Sequence, residues 1–155
     1  MTIDLTEPAM KGSCQCGQVK YEINGKPLGL GFCYCSECQK MSTGIGTYSM
    51  MVPRAAFNKL CGSLKTWERL ADSGNRNVGH FCPDCGVRIY HENPEVNYIR
   101  LKAGTLDNAR DLIPHAIAYL KRKPKWVPMA EGILGFDGMP DIEKVIKSLN
   151  QRSEA

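Results

Sequence analysis

The chain has 155 residues, of which 43% are hydrophobic and 23% charged, and its formal net charge is +4. This length and composition fit one globular domain over residues 1–155 and exclude a disordered or fibrous chain. The longest uncharged stretch, residues 41–53, is too short and too polar to cross a bilayer, so we expect no membrane span.

The predicted elements are mostly short strands separated by turn residues. Residues 1–12 are predicted as a loose lead-in, and residues 54–60 as a short helical turn. Alternating apolar and polar side chains predict the strands. In chain order these strands cover residues 19–23, 47–52, 64–70, 77–81, 87–91, 98–103 and 115–120.

The last predicted element has a different period. Apolar residues recur at helical spacing over residues 141–149, and Asp141 and Glu143 stand at the start, where the helix dipole favours acids. The sequence therefore predicts a mainly β fold, mostly antiparallel, with a short C-terminal helix.

Cysteine usage indicates metal binding. Seven of the eight cysteines occur in close groups, with the spacing of metal ligands. The first ten residues show no signal peptide, and disulfides require an oxidising compartment. We therefore predict reduced, metal-binding thiols and a cytoplasmic protein.

Two cysteine pairs share one local pattern. Cys14-Gln15-Cys16 and Cys82-Pro83-Asp84-Cys85 are each followed by a glycine and then by a strand. The glycine after the second pair lets the backbone turn so that amides point at the sulfurs and stabilise thiolate charge. Facing each other, the two pairs would form a closed four-cysteine zinc site of the structural kind.

A central loop, Cys33-Tyr34-Cys35-Ser36-Glu37-Cys38, holds the other three clustered thiols. Three thiolates leave one position of a tetrahedral zinc open, as catalytic zinc sites do. Water, an exogenous thiol or a protein side chain would complete the site. The histidine candidates are His80, His91 and His115, for each of which a structural role is the alternative interpretation.

Other assignments of these residues stay open. Cys35 and Cys38 would pair with Cys82 and Cys85 in a second partition, which leaves Cys14, Cys16 and Cys33. An iron–sulfur cluster is less favoured, because nothing else in the chain suggests electron transfer. The lone Cys61 is interpreted as a packed thiol. Glu37 is interpreted as a solvated loop charge or an aid to proton transfer.

Several motifs, in order along residues 12–127, resemble those of one family. They are Gly12-Ser13-Cys14-x-Cys16-Gly17-x-Val19-x-Tyr21, Cys33-x-Cys35-Ser36-x-Cys38-Gln39-Lys40, Val52-Pro53-Arg54-Ala55-Ala56-Phe57, His80-Phe81-Cys82-Pro83-Asp84-Cys85-Gly86, Ala103-Gly104-Thr105-Leu106-Asp107 and Pro124-Lys125-Trp126. The chain resembles the glutathione-dependent formaldehyde-activating enzyme (Gfa-like) family.

The resemblance implies an Mss4-like fold, a folded antiparallel sheet that carries two zinc ions per chain. It implies structural zinc on Cys14, Cys16, Cys82 and Cys85, and catalytic zinc on Cys33, Cys35 and Cys38. The implied activity is that of a carbon–sulfur lyase similar to S-(hydroxymethyl)glutathione synthase. Its partners would be glutathione, or another small thiol, and formaldehyde or a related small aldehyde.

Two hypotheses of function follow. In the first, the open zinc activates the glutathione thiol, and cationic side chains bind its carboxylates; the candidates are Lys40, Arg54, Lys121, Arg122 and Lys123. In the second, the chain is a zinc-stabilised protein- or nucleic-acid-binding module that uses the basic residues 121–125 beside Trp126. We favour the enzyme and expect no nucleic-acid partner, because the basic run is first a solvated turn.

Overall fold

The computed structural model describes residues 9–141, 143–145 and 147. The chain divides into two compact units. The four-cysteine unit comprises residues 9–28 and 50–111, and the three-cysteine unit comprises residues 29–49 and the described chain from residue 112 onward. Within the described residues, no helix has the length and apolar character needed to cross a membrane.

Strands dominate both units. They are β1 (Met10–Ser13), β2 (Lys20–Ile23), β3 (Gly29–Cys33), β4 (Thr47–Pro53), β5 (Phe57–Cys61), β6 (Lys65–Leu70), β7 (Arg76–Phe81), β8 (Arg88–Glu92), β9 (Tyr98–Lys102), β10 (Ala116–Ala118) and β11 (Leu134–Gly135). Helix α1 (Ser36–Ser42) follows β3, and short 3-10 turns form at Arg54–Ala56, Ala103–Thr105, Ala109–Asp111 and Leu120–Arg122.

The four-cysteine unit contains the strand orders β1-β2-β5 and β4-β9-β8-β7-β6. The pairs β1-β2, β2-β5, β6-β7, β7-β8 and β8-β9 are antiparallel. Alternation along the strands buries one face, as in β9, where Ile99 and Leu101 are buried and their neighbours are not. A fully buried side chain of this size contributes roughly 1.5–3 kcal/mol. The largest fully buried side chains of this unit are Val19, Tyr21, Ile23, Met50, Val52, Cys82, Ile89, Ile99 and Leu101.

In the three-cysteine unit, β10 pairs in parallel with both β3 and β11. Its register sets Ala118 opposite Cys33, the last residue of β3. The pairing continues one residue further, since the backbone N–H of Tyr34 donates to the carbonyl of Ala118 at 3.0 Å. The short strand β10 therefore fixes the point at which the chain leaves β3 and enters α1.

The predicted mainly β fold class is confirmed, and each predicted strand appears with bounds within two residues of those expected. Two local predictions are wrong. The lead-in ends in β1, which gains its hydrogen bonds by pairing with β2. The central loop predicted over residues 33–38 enters a helix at Ser36. The helical turn at 54–60 is limited to Arg54–Ala56, after which β5 begins. The single domain over residues 1–155 stays a prediction.

The helix predicted over residues 141–149 is described at residues 141, 143–145 and 147. Residues 143–145 and 147 are helical, and Asp141 begins the element. Its Oδ1 accepts hydrogen bonds from the backbone N–H groups of Glu143 and Lys144 at 3.1 and 3.3 Å, as an N-cap does. Three of the four apolar positions that predicted the helix lie outside the described residues: Ile142, Ile146 and Leu149.

Candidate metal centres

Four cysteines of the four-cysteine unit meet at one point. The Sγ atoms of Cys14, Cys16, Cys82 and Cys85 all lie within 4.8 Å of one another. The distance from Cys14 to Cys16 is 3.5 Å, and that from Cys16 to Cys82 is 3.7 Å. Zinc–sulfur bonds of about 2.3 Å at tetrahedral angles separate two sulfurs by about 3.8 Å. The group therefore fits one zinc ion.

The two pairs lie on related turns, each of which ends at a glycine. Gly17 and Gly86 have φ angles of 77° and 76°, a left-handed conformation that glycine adopts readily. The N–H of Gly17 donates to the carbonyl of Cys14 at 3.0 Å, and that of Gly86 to the carbonyl of Cys82 at 2.9 Å. The first turn closes over three residues and the second over four, and each presents two thiols.

Backbone N–H groups stabilise negative charge on these sulfurs. Val19 donates to the Sγ of Cys14 at 3.2 Å. The N–H groups of Val87 and Cys16 lower the pKa of Cys85 to about 6, because they favour the thiolate over the thiol. With four protein thiolates in place, no position is left for a substrate, which is typical of structural zinc.

The second group forms where β3 ends and α1 begins. The Sγ atoms of Cys33, Cys35 and Cys38 lie within 4.8 Å of one another, and all three side chains are half-buried. Cys33 ends β3, and Cys35 caps α1 by accepting the backbone N–H of Cys38 at 3.3 Å. The first turn of the helix therefore folds the third thiol back onto the other two.

Three thiols this close cannot all ionise unaided. Hydrogen bonds from the thiols of Cys33 and Cys38 lower the pKa of Cys35 to about 2, whereas those with Cys35 and Cys38 raise the pKa of Cys33. The three sulfurs therefore share protons as one coupled group. A divalent cation would let all three ionise, and soft thiolate ligands suit zinc. Three thiolates leave a fourth position of the metal open.

A cation stands beside this loop. Nη1 of Arg122 donates to Oγ of Ser36, within the loop, at 3.0 Å, and the guanidinium lies 5.5 Å from the centre of the Tyr119 ring. Nε2 of Gln39 donates both to the carbonyl of Tyr34 at 2.8 Å and to that of Arg122 at 3.0 Å. Gln39 thus holds the start of the cysteine loop and the basic segment together.

The backbone of Tyr119 is strained. Its φ is 54°, in the left-handed region, which is unusual for a bulky side chain and costs of order 1–3 kcal/mol. Tyr119 caps the 3-10 turn Leu120–Arg122 that carries the basic residues. Such strain is found preferentially at functional sites. It gave no signal in the sequence, because nothing in a Tyr-Leu-Lys run predicts a positive φ.

The other cations predicted as carboxylate partners have different surroundings. Lys121 is exposed. Lys40 forms an exposed pair with Glu37 at 4.0 Å, and Lys123 donates to the backbone carbonyl of Val127. Arg54, in the four-cysteine unit, donates to Glu92. Among these residues, Arg122 is the one held against the three-cysteine loop by a side-chain hydrogen bond.

Among the described residues, neither cysteine group includes a histidine. The histidines that the sequence offered as a fourth ligand form other contacts. His80 lies 2.7 Å from the carboxylate of Glu92, and His91 lies 2.7 Å from the guanidinium of Arg88. His115 accepts the backbone N–H of Leu30 at 3.2 Å. Burial, then Arg54 and Arg88, lower the pKa of His80, so the neutral imidazole donates to Glu92.

Two interpretations from the sequence are wrong. Cys82 and Cys85 do not group with Cys35 and Cys38, because the turns described above bring them to Cys14 and Cys16 instead. Cys61 is not a packed thiol. It is exposed at the end of β5, with its Sγ 3.5 Å from the carbonyl of Gln18.

Comparison with solved structures bears on the fold. A crystal structure of a Rhodobacter sphaeroides protein, determined as a Northeast Structural Genomics target, matches with a TM-score of 0.52 and 22% identity. The match covers 66% of this chain and 94% of that one. At this identity the likeness concerns the fold alone. A search of curated proteins gave no match.

Comparison with protein families bears on identity. The model of a family described as "Glutathione-dependent formaldehyde-activating enzyme" matches residues 9–122. The matched range is well over half of the 155 residues, and it contains both cysteine groups together with Gln39 and Arg122. The chain therefore belongs to the glutathione-dependent formaldehyde-activating enzyme family.

Proposed function

We propose that this chain is a zinc-dependent carbon–sulfur lyase similar to S-(hydroxymethyl)glutathione synthase. It would condense the thiol of glutathione with formaldehyde or a related small aldehyde. The observation that carries the proposal is that the chain holds both a complete four-cysteine group and a three-cysteine group that is one ligand short. Membership of the family supports the substrate class.

Two zinc ions per chain are part of the proposal. Cys14, Cys16, Cys82 and Cys85 would hold a structural ion, because four thiolates saturate it. Cys33, Cys35 and Cys38 would hold the catalytic ion. Both sites need reduced thiols, so we propose a reducing, cytoplasmic location.

When bound, zinc on the three-cysteine loop would supply a fourth ligand position in which a small thiol loses its proton. In the net reaction the glutathione sulfur forms a bond to the aldehyde carbon while the carbon–oxygen π bond breaks. The alkoxide that results takes up the proton that the thiol released. All atoms of both substrates are retained in S-(hydroxymethyl)glutathione.

The chain's own part is to hold the substrate beside the loop. Glutathione carries carboxylates, and a guanidinium donates to a carboxylate in a fixed planar fork. Arg122 is already oriented by Ser36 and by the ring of Tyr119. Gln39 donates hydrogen bonds to the backbone carbonyls of both Arg122 and Tyr34. It would therefore keep glutathione bound at Arg122 in a fixed position relative to the cysteine loop.

Exchange NMR spectroscopy tests the proposal. Formaldehyde and glutathione combine spontaneously, so the readout is the rate of interconversion above the rate without protein. We expect the zinc-loaded protein to raise this rate, and the Cys61→Ser variant, which alters an exposed thiol outside both groups, to raise it equally. A rate equal to the spontaneous one in protein holding two zinc ions would refute the proposal.

One observation favours a binding module as the second candidate. Trp126 is 76% exposed next to the basic residues 121–125, and aromatic and cationic groups together bind single-stranded nucleic acid. Fluorescence anisotropy with a labelled oligonucleotide at low and physiological salt tests this function. We expect no binding at physiological salt; salt-dependent binding that Trp126→Ala abolishes would favour the module instead.

A further inference from the structure

Tyr119 keeps an aromatic ring at a position where the backbone favours a smaller residue. Among the residues that the structure describes, it is one of two other than glycine with a positive φ, and Thr43 is the other. Glycine and asparagine adopt this conformation at a lower cost. The backbone itself uses only main-chain groups of Tyr119: its N–H donates to Gly138 at 3.0 Å, and its carbonyl accepts from Arg122 at 2.9 Å. The presence of the ring therefore needs a separate explanation.

The ring contacts the side chain of Arg122. The 3-10 turn Leu120–Arg122 begins at Tyr119, and in such a turn side chains three positions apart lie one above the other. The guanidinium carbon of Arg122 lies 5.5 Å from the ring centre, within the range of cation–π attraction. The ring thus restricts the conformations of a long side chain that begins at the surface.

The guanidinium held in this way is accessible to a ligand. Arg122 and Ser36 are both exposed, and Nη1 of Arg122 donates to Oγ of Ser36 at 3.0 Å. This hydrogen bond uses one of the five N–H donors of a guanidinium. Because Ser36 stands in the sequence between Cys35 and Cys38, a ligand on the guanidinium would lie close to the three-cysteine loop.

The charge of the loop explains why a cation matters there. Three thiolates outweigh a divalent ion by one negative charge, and a thiolate in the fourth position adds another. A thiol that also carries carboxylates is repelled by such a centre unless a cation lies near. Arg122, held at the loop by its hydrogen bond to Ser36, offsets that repulsion.

We propose that the open site selects thiols that carry a carboxylate over neutral thiols, and that Tyr119 is a positioning residue for this selection, acting through Arg122. The inference rests on the proposed function, which supplies the open zinc and names glutathione as one member of the class. It narrows the thiol substrate to acidic thiols, because a guanidinium in a fixed position binds a carboxylate in a planar fork.

Glutathione and its diethyl ester are the probes, since the ester keeps the thiol and loses both negative charges. NMR titrations of the zinc-loaded full chain, which follow the backbone N–H signals of residues 36 and 122, give the dissociation constant of each probe. We expect the wild type to bind glutathione about tenfold more tightly than the ester. Arg122→Gln should abolish this preference, and it keeps the test valid if a variant of Tyr119 fails to fold.

Variants of Tyr119 test the positioning role. Tyr119→Leu keeps a large apolar side chain but loses the aromatic face, so we expect about fourfold weaker binding of glutathione and unchanged binding of the ester. Tyr119→Phe should restore the affinity of the wild type. In the exchange assay Tyr119→Leu should raise the KM for glutathione and leave kcat within about twofold. Thr43→Asn, at the other residue of positive φ, is the control and should change neither dissociation constant.

A double variant tests whether the ring acts through the guanidinium. Tyr119→Leu combined with Arg122→Gln should bind glutathione no more weakly than Arg122→Gln alone, because residues that act as one unit have non-additive effects. Effects of the two changes that add would overturn the positioning role.

Two further results would overturn the proposal. One is equal affinity of the wild type for glutathione and its ester. The other is equal weakening of both probes by Tyr119→Leu, which would mean that the ring supports only the local fold. The proposed enzyme fails separately: a chain that prefers glutathione as expected, but does not raise the exchange rate, would refute the lyase and confirm the selection.

Discussion

The two cysteine groups are built from the sequence in opposite ways. The four-cysteine group joins two turns whose members Cys16 and Cys82 are 66 residues apart. The three-cysteine group is completed within residues 33–38 by the end of one strand and the first turn of one helix. A non-local, saturated site ties distant segments together, whereas a local, open site leaves a ligand position for chemistry. The difference predicts distinct consequences when each group is damaged.

The largest effect on stability is expected from Cys85→Ser. Losing the four-cysteine ion should release a long loop and lower the thermal midpoint by about 15 °C or more, or make the protein insoluble. Calorimetry and metal analysis would measure both losses. A variant that loses activity at an unchanged midpoint would mean that the two groups have exchanged roles.

Cys35→Ser should damage function and spare the fold. We expect zinc content to fall from about two ions per chain to about one, catalysis to fall to the spontaneous rate, and the midpoint to move by less than about 3 °C. Metal analysis and exchange NMR provide the measurements, with Cys61→Ser as the control. Unchanged zinc content would contradict the assignment of this loop.

Arg122→Gln sharpens the comparison at the open site. Removing the guanidinium should raise the KM for glutathione about tenfold and leave kcat within about twofold, since the carboxylate contact does not change during the reaction. Lys121→Gln removes a neighbouring exposed charge and serves as the control. Equal KM values in the two variants would show that only net charge matters.

The smallest effect concerns pH and the four-cysteine unit. His91 is neutral when folded, with a pKa of about 2, but takes up a proton near pH 6.5 when unfolded. Stability should therefore fall as the pH drops below 6.5, by up to about 1.4 kcal/mol per pH unit from this residue. His91→Gln keeps an acceptor for Arg88 and should remove that part of the slope. Urea unfolding between pH 7.5 and 5.5 measures the free energy of unfolding of both proteins. An equal dependence on pH in the wild type and in His91→Gln would contradict this role of His91.

Local patterns explain what the sequence could predict. The two cysteine turns each combine candidate ligands, a glycine and a strand within a few residues, so neighbouring residues determine their conformation. Most strands alternate clearly, as in β9. Helix α1 was missed, because its polar stretch buries no side chain and has a cysteine as its N-cap. Strand β1 was missed, because Gly12 is a poor strand former and only pairing with β2 makes it extended.

Contacts between distant segments explain what could not be predicted. Gln39 and Arg122 are 83 residues apart, and no spacing rule links an amide to a backbone carbonyl over that distance. The hydrogen bond of Arg88 to His91 depends on strand register, which aligns Gly79 with His91 and leaves room for the Arg88 guanidinium over Gly79. Side-chain types alone gave Arg122 as one of five candidate cations. In the fold, Arg122 is the one of the five whose side chain donates a hydrogen bond to the three-cysteine loop, at Ser36.

The separation of Cys16 and Cys82 has a consequence for synthesis on the ribosome. Because Cys82 comes 66 positions after Cys16, the second turn emerges roughly 3–13 s after the first at elongation rates of about 5–20 residues per second. During that interval the other thiols already synthesised are those of Cys33, Cys35, Cys38 and Cys61. A nascent chain that takes up zinc early therefore has to exchange ligands before it matures. The rate of translation and the supply of free zinc should thus govern the yield of correctly loaded protein.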